Sequence, residues 1–277
     1  MSSEFNDTQG PENLSSSLLS APLAKLTLNA PLRWLSRGWH DCRRCPGIGL
    51  FYGTCFFIMG HLLFAVFHSA PQYVLALSAG FLLMGPFLSL GLYHASRELE
   101  QGRNPSLAQS LLAWEPSMGA MAVFAVVLLI LEMLWGRASL IVFAVTFQDV
   151  PDARNVLEQL LNPDNLEFLI TYTCVGSVFA SLIFVSSVVS IPAIMDRQAD
   201  AISAALTSIR ACLENPLVML WWGALIVLLM LVAMLPYFAG LIVLGPVVGH
   251  ATWHAYREVM EARAGVEPTY TDLQSGA

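Results

Sequence analysis

The sequence predicts an all-α membrane protein with six transmembrane helices, built as three tandem units of an amphipathic interfacial helix plus a transmembrane hairpin. Three observations lead there. Of the 277 residues, 56% are hydrophobic and only 12% are charged, with a mean hydropathy of +0.62; a soluble domain carries roughly 25% charged residues, so the bilayer must be the main solvent. Apolar runs long enough to cross a hydrocarbon core recur along the chain. A segment containing Gly-Pro, His-Ala and Arg-Glu also appears twice, each time where such a run ends.

Residues 1–24 begin MSSEFNDTQGPENLSSSLLS, lack an apolar period and are expected to form a disordered cytoplasmic tail. The membrane domain then occupies 25–260, with spans near 47–67, 73–94, 117–135, 166–191, 217–235 and 238–256, and 261–277 forms a second flexible tail. Short joins at 68–72 and around Pro236 predict tight helical hairpins for the first and last pairs of spans. The stretch ASLIVFAVTF at 138–147 is apolar but too short to span. An interfacial or re-entrant segment is expected there, followed by a short amphipathic helix; the alternative is a simple extension of the third helix.

Orientation follows from the cations. Lys25, Arg33, Arg37, Arg43, Arg44, Arg97, Arg103, Arg197, Arg210, Arg257 and Arg263 fall on one side of this layout, against Arg137 and Arg154 on the other. Cytoplasmic loops retain positive charge, so both termini are expected in the cytoplasm of a cell bounded by an inner membrane. The net charge of −7 and the scattered cations exclude a nucleic-acid partner. Five cysteines, two of them inside apolar runs, imply no disulfide framework.

The repeat reads GP-x7-HA-x-RE, once from Gly85-Pro86 to His94, Arg97 and Glu98 and again from Gly245-Pro246 to His254, Arg257 and Glu258. A second element also recurs. Amphipathic stretches LRWLSRGWHDCRRC, SLAQSLLAWE and AISAALTSIRACLEN stop at Pro46, Pro116 and Pro216, each just before an odd-numbered span. Proline disfavours helix in the residue before it and is tolerated in a first turn, so each marks a break between a surface helix and a membrane helix. The middle copy departs, with Ile194, Arg197 and Gln198 at the His, Arg and Glu positions.

The run RWLSRGW, the GP-x7-HA-x-RE segment, SVVSIPAIMDR, TSIRACLENP and LGPVVGHATWHAYRE together resemble a family of bacterial inner-membrane proteins known only as a domain of unknown function. The resemblance covers about residues 25–260. It implies a six-span inner-membrane protein and supplies no substrate, cofactor or catalytic residue.

His250 and His254 are four apart and share a helix face, and His94 is the repeat equivalent of His254. Three converging imidazoles could bind haem or metal. The blander expectation is a structural polar cluster of His94, Arg97, Glu98, His254, Arg257 and Glu258 at cytoplasmic helix ends, where histidine suits the negative end of the helix dipole. Cys42 and Cys45 form a C-x-x-C pair without the second half of a zinc site or a thioredoxin-like setting. Gly85, Pro86, Gly91, Gly176, Gly245, Pro246 and Gly249 are read as helix-packing positions, and the rows Gly176-x3-Ala180 and Ser177-x3-Ser181 as faces of the bundle centre. Ser181, Ser186, Ser187 and Ser190 could line a polar path or bond between helices. No phosphate loop, nucleophile elbow or H-E-x-x-H motif occurs.

These features favour a non-enzymatic scaffold or assembly factor without a cofactor, acting by helix packing and by cytoplasmic amphipathic helices. Its partners are the lipid bilayer and a membrane protein or a second copy of the chain, engaged through Trp34, Arg37 and Trp39. A small-solute or lipid-handling transporter is the alternative, with a polar cavity near Gly85, Ser187 and Gly245. A haem or metal redox protein using His94, His250 and His254 is the third reading.

Overall fold

The computed structural model describes residues 22–69, 74–146 and 165–261, and the elements in them are helices. In chain order these are α1 (Ala30–Arg44), α2 (Pro46–Ser69), α3 (Val74–Glu100), α4 (Leu107–Leu111), a 3-10 turn (Glu115–Ser117), α5 (Met118–Thr146), α6 (Leu166–Ser187), α7 (Ser190–Arg197), α8 (Ala201–Glu214), α9 (Pro216–Met234) and α10 (Leu241–Met260).

Proline sets three of the boundaries. Pro46 and Pro216 open α2 and α9, and Pro116 sits in the 3-10 turn ahead of α5. A proline at a first helical turn sacrifices no intrahelical hydrogen bond. Asp200 caps α8, accepting from the backbone N–H groups of Ile202 at 3.0 Å and Ser203 at 2.9 Å, which satisfies two otherwise orphaned donors. The turn between α9 and α10 is as tight as Pro236 suggests, with Tyr237 and Phe238 both at positive φ. The first hairpin join, 70–73, lies outside the described residues, as do 1–21, 147–164 and 262–277.

Among the described residues, four stretches are long and apolar enough to cross a membrane: Pro46–Ser69, Leu107–Thr146, Leu166–Arg197 and Pro216–Met234. The other two expected spans are also helical, as α3 and α10. α10 is apolar only over its first half, and beyond Val248 it carries His250, Thr252, His254, Arg257 and Glu258. Large apolar side chains on the long helices point outward, among them Leu62 and Phe64 on α2, Ile130 on α5, Val178 on α6 and Leu228 on α9. In lipid such exposure costs nothing, because the surroundings are as apolar as the side chain.

Two expectations need correction. Residues 138–146 are not a separate segment but continue α5 without a break, the alternative stated above. A single glycine costs a helix interior only about 1 kcal/mol, and Gly136 is buried, so packing overrides the weak local signal. The expected amphipathic segment after it falls outside the described residues. The N-terminal tail also ends earlier than residue 24. The Ala24 N–H donates to the Val259 carbonyl at 3.0 Å, and its own carbonyl accepts from Asn215 Nδ2 at 3.1 Å. Residues 22–29 thus form a strap that α10 and the α8–α9 junction hold in place.

α10 is the hub of the fold, contacting α1, α2, α3, α7 and α9. The main core lies at the end of the bundle that carries α1, α7 and α8, where Trp34, Trp222, Trp253 and Tyr256 are all fully buried. Trp34 meets Trp222 edge to face, with ring centroids 5.5 Å apart. A smaller cluster of Cys45, Ile48, Tyr52, Leu92, Ala95 and Leu99 joins α2 to α3. Close approach of other helices to the backbone of α10 requires glycine at two places. A Cβ on Gly38 would stand 2.6 Å from the Ala251 nitrogen, and one on Gly53 would stand 2.0 Å from the Ile242 carbonyl oxygen. These two residues seat α1 and α2 against α10.

Candidate functional site: a buried polar network joining α1, α3 and α10

α1 is strongly amphipathic, and Ala30, Trp34, Gly38 and Asp41 fall on its buried face, with Cys45 one turn further on. The spacing of four, four, three and four residues keeps them on one stripe. That stripe packs on α10, whose polar half presents His250 and His254 one turn apart. α3 brings Ser96 to the same place.

Asp41 is the centre. Its Oδ2 accepts from His254 Nε2 at 2.8 Å and from the Ser96 hydroxyl at 2.9 Å. Ser96 Oγ lies 2.7 Å from His250 Nδ1, and His250 Nε2 lies 3.9 Å from Cys45 Sγ. Because the serine proton goes to the carboxylate, Ser96 Oγ must accept from Nδ1–H of His250. That leaves His250 Nε2 as the bare nitrogen facing the thiol. Cys45 Sγ also lies 3.2 Å from the Asp41 carbonyl, so its one proton is shared between that oxygen and His250 Nε2. The network is therefore a chain, His254 to Asp41 to Ser96 to His250 to Cys45, in which every member is buried except His254.

Electrostatics keep this chain quiet. Burial alone would raise the Asp41 carboxyl, but the hydrogen bonds from His254 and Ser96 and the neighbouring imidazoles outweigh it and hold the group below the usual carboxylate range. Burial, with the negative ends of Cys42 and Asp41 nearby, pushes the Cys45 thiol up to about 12. Cys42 rises as well, by burial first and then by Asp41. Protonated thiols are poor nucleophiles, and Cys45 packs in the cluster that joins α2 to α3.

The expected cluster of repeat-equivalent side chains is not one cluster. His254 goes to Asp41, and Glu258 reaches α1, accepting from Arg33 Nη2 at 2.6 Å and Trp34 Nε1 at 3.0 Å. Arg257 pairs with Glu100 at 3.3 Å and Glu261 at 2.7 Å. Glu98 is clamped by Arg103 through two bonds of 2.5 and 2.6 Å, which lower its carboxyl below the ordinary range. Arg97 turns to His94 Nδ1 at 3.3 Å and to Asp196 at 4.0 Å, while the Tyr256 hydroxyl donates to Asp196 at 2.8 Å. The ends of α3, α7 and α10 thus meet through Asp196, Arg97 and Tyr256.

The three histidines do not converge. His250 and His254 are both spent on the Asp41 network, whereas His94 bonds Arg97 and leaves Nε2 without a partner. Among the described residues no group of three or more His, Cys, Asp and Glu side chains is arranged to hold a metal ion.

The packing glycines divide. Gly91 lies against the Tyr52 ring, Gly249 against Leu92, Gly245 against Phe56 and Gly176 against Trp135, while Gly85 has open space around it. Pro246 is buried in α10; the side chain of Pro86 lies outside the described residues. The small rows of α6 are not the bundle centre: Ser177, Ala180 and Ser181 are exposed. The α6 and α7 serines bond locally, within the α6–α7 stretch. Ser181, Ser186, Ser187 and Ser190 each donate to a carbonyl three or four residues back, as serine does in apolar helices. The cavity that Gly245 borders is walled mainly by Phe56, Met59, Leu63, Met230 and Met234, with Ser89, Tyr93 and Thr252 as its polar residues, and neither Gly85 nor Ser187 lines it. Trp34 also changes role, because it is a fully buried core residue and cannot meet a partner.

Asp41 and Ser96 are the residues that sequence reasoning missed. Asp41 is the sole acid between Lys25 and Arg44, and it falls on the stripe of Trp34 and Gly38. An acid on the buried stripe of an amphipathic helix must find partners, and that signal was available.

Residues 74–196 match a family model described as predicted integral membrane protein (DUF2189). The match is to a membrane family of unknown function, as the resemblance implied, over a shorter stretch than 25–260. No curated protein and no solved structure matches the chain.

Proposed function

We propose that this chain, similar over 74–196 to a family of integral membrane proteins, is a six-span, non-enzymatic scaffold of a bacterial inner membrane with both termini in the cytoplasm. The observation that carries the reading is the closure of the polar network. The groups best suited to chemistry, Asp41, Ser96, His250 and Cys45, are buried and bonded to one another. They fasten α1 onto α3 and α10 and leave no reactive atom facing a substrate. Buried polar groups arranged in this way specify one packing.

What the protein offers outward is the free face of its surface helices. On and before α1, Leu28, Leu32 and Trp39 are exposed beside Arg33, Arg37, Arg43 and Arg44. On α8, Ile202, Leu206 and Leu213 are exposed. The cations support a cytoplasmic placement, and the meeting of α3, α7 and α10 at equivalent positions supports three related units. The test replaces Leu32 and Trp39 by Glu and recovers the full chain in mild detergent. The expected result is loss of a co-purifying membrane protein with an unchanged melting temperature. Retention of every partner contradicts the reading.

A further inference from the structure

A cavity of about 320 Å³ lies between α2, α3, α9 and α10. Its wall is almost wholly apolar, with Phe56, Met59, Leu63, Met230 and Val248 along its length. From Leu241 at one end to Thr252 at the other it follows eleven residues of α10, about 16 Å at 1.5 Å per residue.

The two ends differ. Met234, at the end near the α9–α10 turn, is 44% exposed, so the cavity communicates with the outside of the bundle there. At the other end stand the side chains of Ser89, Tyr93 and Thr252. Thr252 Oγ1 donates to the Val248 carbonyl, and its lone pairs remain available as acceptors. Water gains nothing in such a space, because an apolar cavity gives it too few partners. Left empty, the cavity would forfeit the contacts of every wall atom. The molecules surrounding α2 and α9, whose outward faces are apolar, are lipids.

We infer that this cavity is a binding site for an acyl chain, held lengthwise along α10 with its polar end left at the Met234 mouth. Met59, Met230 and Met234 suit the role, since unbranched thioether side chains adapt to an irregular hydrocarbon. The inference rests on the membrane placement of these helices and does not depend on the scaffold reading. A lipid lodged in the bundle would serve as a structural ligand, tying α9 to the α2–α3 pair.

The test uses the delipidated full chain in a mild detergent, titrated with cis-parinaric acid, whose fluorescence rises in a rigid apolar site. The expected result is saturable binding near one per chain, displaced by oleate. Val248→Phe, which fills the middle of the cavity, should weaken binding by at least tenfold. Leu220→Phe, on an outward position that is 71% exposed, should leave it within twofold. Should Val248→Phe fail to fold, Met234→Phe narrows the entrance and should slow association by a similar factor. Non-saturable partitioning into the wild type, or equal affinity for the wild type and the cavity variants, overturns the proposal. Retention of every partner after Leu32 and Trp39 are replaced by Glu, with probe binding intact, would sink the scaffold reading and leave this one standing.

Discussion

Replacing Asp41 by Ala removes the acceptor for two buried donors at once. The carboxylate receives Ser96 at 2.9 Å and His254 at 2.8 Å, and a hydrogen bond to a charged group contributes about 1.5–3 kcal/mol. Relief of the carboxylate's own desolvation offsets part of this, so a net loss of about 3–5 kcal/mol is expected, the range for breaking a buried polar pair. For a chain of this size that is a fall of roughly 10 °C in melting temperature. The assay is thermal unfolding of the full chain in one detergent, followed by intrinsic fluorescence. Asp41→Asn keeps the shape and an oxygen able to accept both donors but removes the charge, so its fall should be about half as large. The combination of Asp41→Leu, Ser96→Ala and His254→Leu should cost less than Asp41→Ala alone, because only the His250 Nδ1–H then loses its acceptor, against two donors in the single variant. A shift below about 2 °C for Asp41→Ala, or a triple variant worse than the single one, would refute the network as the fastening of α1.

Four further outcomes follow from the same structure. The Asp41 carboxyl is held below its ordinary value of 3.8, so its contribution is complete above that value and is lost as pH falls through the lower folded one. Acid unfolding scans should therefore show wild type losing stability below about pH 4 more steeply than Asp41→Asn. With its thiol pushed up to about 12, Cys45 should resist maleimide at pH 8 and label once SDS unfolds the chain, with Asp41→Ala labelling in the native state; mass spectrometry of digested protein reads the site. Trp34→Ala should cost about 3–5 kcal/mol, since it vacates the Trp222 contact and frees Glu258, while the exposed Trp39→Ala should stay within about 0.5 kcal/mol in thermal melts. Gly53→Leu should separate α2 from α10 and lower the yield of folded protein on size exclusion, because even a Cβ would stand 2.0 Å from the Ile242 carbonyl.

Much of the architecture was written in local signals. Pro46, Pro116 and Pro216 mark the starts of α2, α5 and α9 because proline constrains its own backbone and its neighbour's whatever surrounds it. The surface helices were equally legible, since the period of LRWLSRGWHDCRRC separates a buried face from a basic one. The length of α5 was not, because Gly136 and Arg137 weaken a helix slightly and only contacts with α6 decide that it continues.

The site was half visible. His250 and His254 drew notice as imidazoles one turn apart, but their partners come from α1 and α3, more than 150 residues away in sequence. Pairing of that kind depends on how α1 lies on α10. Without it, the repeat suggested that His94 and His254 would act together. Their surroundings differ: Asp41 stands beside His254, and Arg97 beside His94.

Hydrogen exchange of α1 tests the central claim most directly, because that claim makes α1 a fixed part of the bundle. The full chain in lipid nanodiscs, followed by mass spectrometry over Ala30–Arg44, should show amides of α1 protected as long as those of the polar half of α10, with protection lost in Asp41→Ala. Exchange of α1 within seconds in the wild-type chain, or protection unchanged by Asp41→Ala, would contradict a helix held down by the Asp41 network.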